Sequence, residues 1–222
     1  MRTVMLWCCA QTWAATGPYE HAVADRVSAL TPPRGSAPIC DQIPQAGLAS
    51  MPDDGVLWTV IDAGRTYAQD VLLDTIAYAA RATHRALPGL APLVVGDMSR
   101  PKGGPFPPHS RHRFGLDADV GLWWVGGHQP WPWRPVPVDQ LDREATLRFV
   151  RHLGESGRIE RILLDASLIR ALEAGGPVGV GSVRLVGTAD SPGLLQPAAG
   201  HRDHLHVTAR CLSPNTVPAQ SR

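Results

Sequence analysis

Five of the nine histidines fall in two short clusters. The first runs His109-Ser110-Arg111-His112-Arg113-Phe114-Gly115-Leu116-Asp117-Ala118-Asp119. The second runs His201-Arg202-Asp203-His204-Leu205-His206-Val207. Imidazole and carboxylate are the side chains that hold a transition metal or move protons near neutral pH. In a strand, residues two apart share a face. His204 and His206 would then project side by side, with Leu205 and Val207 turned to a core. A lone H-x-H pattern reads as a solvated polar face. A third histidine at 201 and the first cluster shift the reading towards a metal or proton-transfer site.

In the first cluster, His112 and Asp119 are seven positions apart. On one straight strand they would point to opposite faces, and Gly115 supplies a bend that could bring them together. Asp119 sits between Ala118 and Val120, where a carboxylate needs a partner. A zinc ion is a suitable one, because it accepts imidazole nitrogen and carboxylate oxygen in tetrahedral geometry. Asp117 shares the face of Asp119 and could accept the N–H of a ligand imidazole.

Elements with the right placement can be read around these clusters. The 222 residues suffice for one domain with a sizeable core. Apolar periodicity without Gly or Pro predicts a helix from Thr66 to Leu87, closed by Pro88-Gly89. Strands are expected at 56–61, 92–97, 114–124, 159–164 and 204–209, with helices at 141–153 and 167–174. Residues 178–186 read as a hairpin. The mixture lacks βαβ regularity. It predicts a single α+β domain over 16–212, with a central, mostly antiparallel sheet flanked by helices and long Gly/Pro-rich loops. Residues 213–222 read as a flexible tail.

The net charge of +1 makes no electrostatic case for nucleic acid. No apolar run is long enough to be a membrane-spanning helix. Residues 1–15 have the parts of a short secretory signal: Arg2, an apolar stretch, then Ala14 and Ala15. A buried strand or a frayed N-terminus is the other reading of that segment. If it is a signal, Cys40 and Cys211 are the cysteines left, and in an exported protein they would form one disulfide; two buried thiols are the alternative. Nothing in the sequence bears on oligomeric state.

Gly96-Asp97-Met98-Ser99-Arg100-Pro101-Lys102-Gly103-Gly104-Pro105, the stretch from His109 to Val120, and the stretch from His201 to Cys211 together resemble the penicillin-insensitive murein endopeptidases. That family belongs to the lysostaphin-type and D-Ala-D-Ala zinc metallopeptidase group. The group's shared H-x6-D and H-x-H signatures correspond to His112…Asp119 and His204-Leu205-His206. The resemblance implies one zinc ion held by His112, Asp119 and His206, with His204 handling the proton and His201 nearby. It leaves His109, like Asp117, as an additional metal or supporting residue. It implies hydrolysis of D-alanyl–diaminopimelyl cross-links between peptidoglycan stem peptides, in the periplasm or outside the cell. Attack by water rather than serine would explain insensitivity to penicillin. The rivals are a zinc D,D-carboxypeptidase or D,D-dipeptidase, and a wall-binding protein that keeps the metal without turnover. Arg100 and Lys102 could meet a substrate carboxylate. Trp123, Trp124, Trp131 and Trp133 could line a cleft for glycan or peptide, with Trp123 a candidate to meet substrate; packing under the proline-rich loop is the other reading, favoured for Trp123 or Trp124. Arg111 and Arg113 depart from the Ser and Gln that usually flank the ligand histidine.

Overall fold

The computed structural model describes residues 40–126, 132–174, 179–180, 183–185 and 193–211. The expected signal at 1–15 and tail at 213–222 lie outside the described residues, as does Trp131. In chain order the elements are β1 (Ala49–Ser50), β2 (Trp58–Val60), β3 (Tyr67–Ala68), α1 (Asp70–Ala86), β4 (Leu93–Val95) and β5 (Asp117–Gly121). After a single 3-10 turn at Val138–Gln140 come α2 (Arg143–Glu155), β6 (Ile159–Leu164), α3 (Ala166–Glu173), β7 (Gly179–Val180), β8 (Val183–Arg184), β9 (Leu195–Pro197) and β10 (His204–Ala209).

Six strands form one sheet in the order β2-β4-β5-β10-β6-β9. The three central pairings are antiparallel, and the outer pairs β2–β4 and β6–β9 are parallel. The α+β, mostly antiparallel architecture is therefore present. Its apolar residues make one core, in which Ala118 and Val120 of β5 and Leu205 and Val207 of β10 are fully buried with Leu72, Ile76, Phe149 and Leu153 from the helices. Alternation along a strand sends the intervening residues to the other face. That face carries the polar set: Asp117 and Asp119 from β5, and His204, His206 and Thr208 from β10.

Helix α1 begins at Asp70, four residues later than the periodicity predicts. Tyr67 and Ala68 are engaged in antiparallel pairing with Ser50 and Ala49, and a backbone in a strand ladder cannot also start a helix. Gln69, at the junction, does not cap the helix with its side chain. Its Nε2 donates to Phe114 O at 3.0 Å and its backbone N–H donates to Gly115 O at 2.9 Å. The start of α1 thus holds the bend that precedes β5. The strand expected over 114–124 is shorter, Asp117–Gly121, because Gly115 has φ +70° and breaks the extended run before it begins. Strand β9 was not read from the sequence. It is three residues long and contains a proline, and it takes its place by parallel pairing with β6.

A disulfide joins Cys40 to Cys211, 171 residues apart in sequence. Among the described residues no helix is long and apolar enough to cross a membrane.

Candidate metal centre

Strand register assembles the site. β5 and β10 pair so that His206 faces Asp119, Thr208 faces Asp117 and His204 faces Gly121. Directly opposed residues of an antiparallel pair lie close enough for their side chains to bond. His206 Nδ1 is 2.9 Å from Asp119 Oδ1, and its Nε2 donates to Asp117 Oδ1 at 3.1 Å. Thr208 Oγ1 donates to the same Asp117 oxygen at 2.9 Å. A one-residue slip of β10 would carry His204, His206 and Thr208 to the core face, away from Asp117 and Asp119.

The third component arrives on the loop between β4 and β5. His112 is 1% exposed. Its Nδ1 donates to Met98 O at 2.9 Å, which fixes the tautomer and leaves the Nε2 lone pair facing the site. His112 Nε2 lies 3.3 Å from Asp119 Oδ1 and 3.3 Å from His206 Nδ1. Two donor atoms on a tetrahedral zinc, each about 2.0–2.1 Å from it, stand about 3.3 Å apart. The triangle His112 Nε2, Asp119 Oδ1, His206 Nδ1 has edges of 3.3, 2.9 and 3.3 Å, so the donor set fits such an ion.

His109 is the fourth group. His109, His112 and Asp119 each offer a ligand atom within 4.8 Å of the others. His109 Nδ1 stands 3.7 Å from Asp119 Oδ2, farther than the donors of the first triangle stand from one another. Its Nε2 donates to Asp97 Oδ2 at 2.8 Å, and Asp97 is gripped by Arg65 through two bonds of 2.6 Å. Phe106, nearly fully buried, stacks on His109 with centroids 5.6 Å apart and supports His112 at 6.1 Å.

The electrostatics follow from burial and pairing. Desolvation would raise the Asp119 carboxyl, but the bonds and charges of His112, His206 and His204 outweigh it and hold it well below the ordinary carboxylate range. Burial would likewise discharge His206, but Asp117 and Asp119 push it up to about 9. A proton on Nδ1 and a metal ion are thus alternatives at one place. For Asp97, desolvation is outweighed by Arg65 and His109, which lower its pKa. His201 is shifted down by burial first, opposed by its bond to Ala199 O and assisted by the neighbouring histidines.

His204 sits at the mouth of this cluster. Its Nδ1 donates to Asp203 Oδ1 at 2.6 Å, and its Nε2 comes 3.6 Å from Asp119 Oδ1. His201 packs beside it, with centroids 5.1 Å apart, and meets His206 edge-on at 5.8 Å. All seven histidines and aspartates singled out from the sequence therefore come together. Arg100 is exposed beside the cluster, its guanidinium 5.5 Å above the Phe106 ring, and Lys102 is exposed on the same loop.

Trp123 is a correction. Its side chain is fully buried, edge-on to Phe149 at 5.6 Å, and its Nε1 donates to Ala91 O at 2.8 Å. Continued strand alternation would have put residue 123 on the face of Asp119. β5 ends at Gly121, so the alternation stops and the indole turns into the core. Of the tryptophans read as possible cleft residues, Trp133 is the one that meets the site, stacked on His204. Arg65, Phe106 and Thr208 escaped the sequence reading, because each acts through a bond or contact to a residue distant in the chain. Asp97 and Met98 were visible only as part of a motif.

A buried cluster of histidines and aspartate on an antiparallel sheet, with each imidazole oriented by an acceptor behind it, defines a candidate metal centre of the kind hydrolases use. The chain belongs to the penicillin-insensitive murein endopeptidase family, whose sequence model matches residues 43–153. It is 27% identical over 157 residues to a penicillin-insensitive murein endopeptidase of Salmonella arizonae, covering 62% of this chain and 53% of that protein. It is 26% identical over 142 residues to one of Yersinia enterocolitica, covering 55% of this chain and 46% of that protein. The chain spans about half the length of these curated relatives. The family match holds His109, His112, Asp117 and Asp119, and ends before the cluster at 201–206.

Proposed function

We propose that this chain is a zinc-dependent endopeptidase that hydrolyses D-alanyl–diaminopimelyl cross-links in peptidoglycan. The observation that carries the reading is the donor triangle of His112 Nε2, Asp119 Oδ1 and His206 Nδ1, with edges of 2.9–3.3 Å and its imidazoles held from behind by Met98 O and Asp117. These three residues would hold one zinc. When bound, zinc supplies a Lewis acid that polarises the scissile carbonyl and brings the pKa of a water towards ~7. His204 turns Nε2 to the site while Asp203 keeps Nδ1 protonated, so Nε2 is placed to accept a proton from the attacking water and later to deliver it to the leaving amine. His201 lines the same opening. Arg100 and Lys102 offer cations to carboxylates of the stem peptides. The Cys40–Cys211 disulfide fits an oxidising compartment, the periplasm or the exterior.

The test is metal analysis of the purified full chain, paired with digestion of purified murein and identification of the released muropeptides. One equivalent of zinc, lost in His112→Ala, and conversion of cross-linked dimers to monomers are the expected results. Release of terminal D-alanine alone would make it a carboxypeptidase. Binding of sacculi without cleavage would make it a wall-binding protein. Cleavage by protein stripped of metal would overturn the reading.

A further inference from the structure

Loop 132–137 is pinned across the site. Val136 is fully buried, and its backbone N–H donates to Arg202 O at 2.8 Å, just before Asp203 and His204. From this fixed point the chain carries Trp133 to His204. The two rings lie 5.2 Å apart at 17°, a parallel stack. The tip of the indole's six-membered ring lies against Gly96, where an added Cβ would collide with Trp133 Cη2. Gly96 follows β4, whereas His204 opens β10, and β5 runs between them. The indole therefore bridges two strands over the β5 segment that carries Asp119. Phe106, stacked on His109 and His112, faces the cluster from the β4–β5 loop.

His204 is restrained in two independent ways. The bond to Asp203 selects which ring nitrogen carries the hydrogen and fixes rotation within the ring plane. The stack on Trp133 fixes the plane itself. An imidazole with both restraints has one orientation, and in it Nε2 is 3.6 Å from Asp119 Oδ1. With the Asp203 bond alone, the ring could still turn about that bond and carry Nε2 off line.

We propose that Trp133, seated on the side-chain-free Gly96, is a positioning residue that together with Asp203 aims His204 Nε2 at the metal centre. This deepens the zinc-peptidase reading and rests on it for the catalytic part of its test. Proton transfer depends steeply on alignment, and a displacement of about 1 Å can cost as much as a hundredfold in rate.

The experiment compares full-chain Trp133→Leu, Trp133→Phe and Asp203→Asn with the parent. Each is assayed for zinc content, kcat and KM on murein, and the ring-proton NMR signals of His204, assigned through His204→Gln. In Trp133→Leu the His204 ring signals should lose the upfield shift imposed by the indole. Its kcat should fall roughly ten- to a hundredfold, with KM and zinc content within about twofold. Trp133→Phe should restore most of the rate, because it keeps a ring to stack on. Asp203→Asn should lower kcat while leaving the indole-shifted signals in place. Unmoved His204 signals in Trp133→Leu, an effect confined to KM, or an unchanged kcat would overturn the proposal. If the parent does not cleave murein, the peptidase reading fails, and the NMR signals still decide whether Trp133 and Asp203 orient His204.

Discussion

Asp117 offers the sharpest test of how the centre is held. It touches no ligand position itself, and acts on His206 by accepting the Nε2 hydrogen at 3.1 Å. Replacing such a carboxylate behind a metal-binding imidazole costs about ten- to a hundredfold in affinity, about 1.4–2.7 kcal/mol. Asp117→Ala should fall at the upper end. Thr208 loses its partner at the same time, and His206 loses the acceptor at Nε2, keeping Asp119 at Nδ1 and the rings of His112 and His201 beside it. A second effect runs the other way. Asp117 also helps hold the proton on His206, whose pKa is pushed up to about 9. Under the proposed zinc reading the ion must displace that proton, so at pH 7 the parent's affinity should lie about a hundredfold below its alkaline limit. Asp117→Ala relaxes this competition and hides part of its own defect near neutrality. Zinc affinity should therefore be measured by competition with a chromogenic chelator from about pH 6.5 to 9.5. The parent should gain about tenfold per pH unit and level off near 9. The variant should level off earlier and at least about tenfold lower. Equal plateaus for the two proteins would refute the reasoning.

Two further outcomes concern the scaffold. Gly115→Ala places a Cβ 2.9 Å from Ala68 Cα and 3.0 Å from Gln69 N at φ +70°, so urea unfolding should show a loss of about 2–4 kcal/mol, with weakened zinc binding alongside. His84 is held below its ordinary 6.5 mainly by burial, which outweighs a backbone bond to Leu57 and the charge of Asp54. The unfolded chain then takes up a proton that the fold resists. Stability from this source is complete above about pH 6.5 and declines as pH falls below it. His84→Phe should flatten that part of the pH–melting curve, and an unaltered acid-side slope would count against the assignment.

The sequence carried the chemistry further than it carried the supports. Strand parity placed His204 and His206 on one face, and β10 spans the predicted residues. The seven-residue interval from His112 to Asp119 worked because Gly115 turns the chain where a bend was needed. Parity failed at Trp123, where an edge in the hydrogen-bond ladder, invisible in the residue pattern, ended β5 two positions earlier. It also said nothing of Trp133, which reaches His204 from a loop that has no period to read. Arg65 joins the site through Asp97 across 32 positions, a contact that only the folded sheet creates. The helix starts later than its periodicity predicts for the same reason, since Tyr67 and Ala68 are claimed by a ladder and Thr66 by a bridge to Ser99.

The position of β10 has a consequence for how the molecule comes into being. It is the last described strand in the chain, yet it lies in the middle of the sheet, between β5 and β6. Until it inserts, β2-β4-β5 and β6-β9 are separate ribbons, each with an open edge. Asp119 and His112 wait on one ribbon, 87 and 94 residues from the His206 that completes their triangle. Joining such distant segments is the slow, late part of folding. The candidate centre is therefore an assembly product: closing the sheet and completing its donor triangle are one event. A nascent or partly unfolded chain carries these side chains without the geometry, and the proposed hydrolytic capacity would be withheld until the domain is finished.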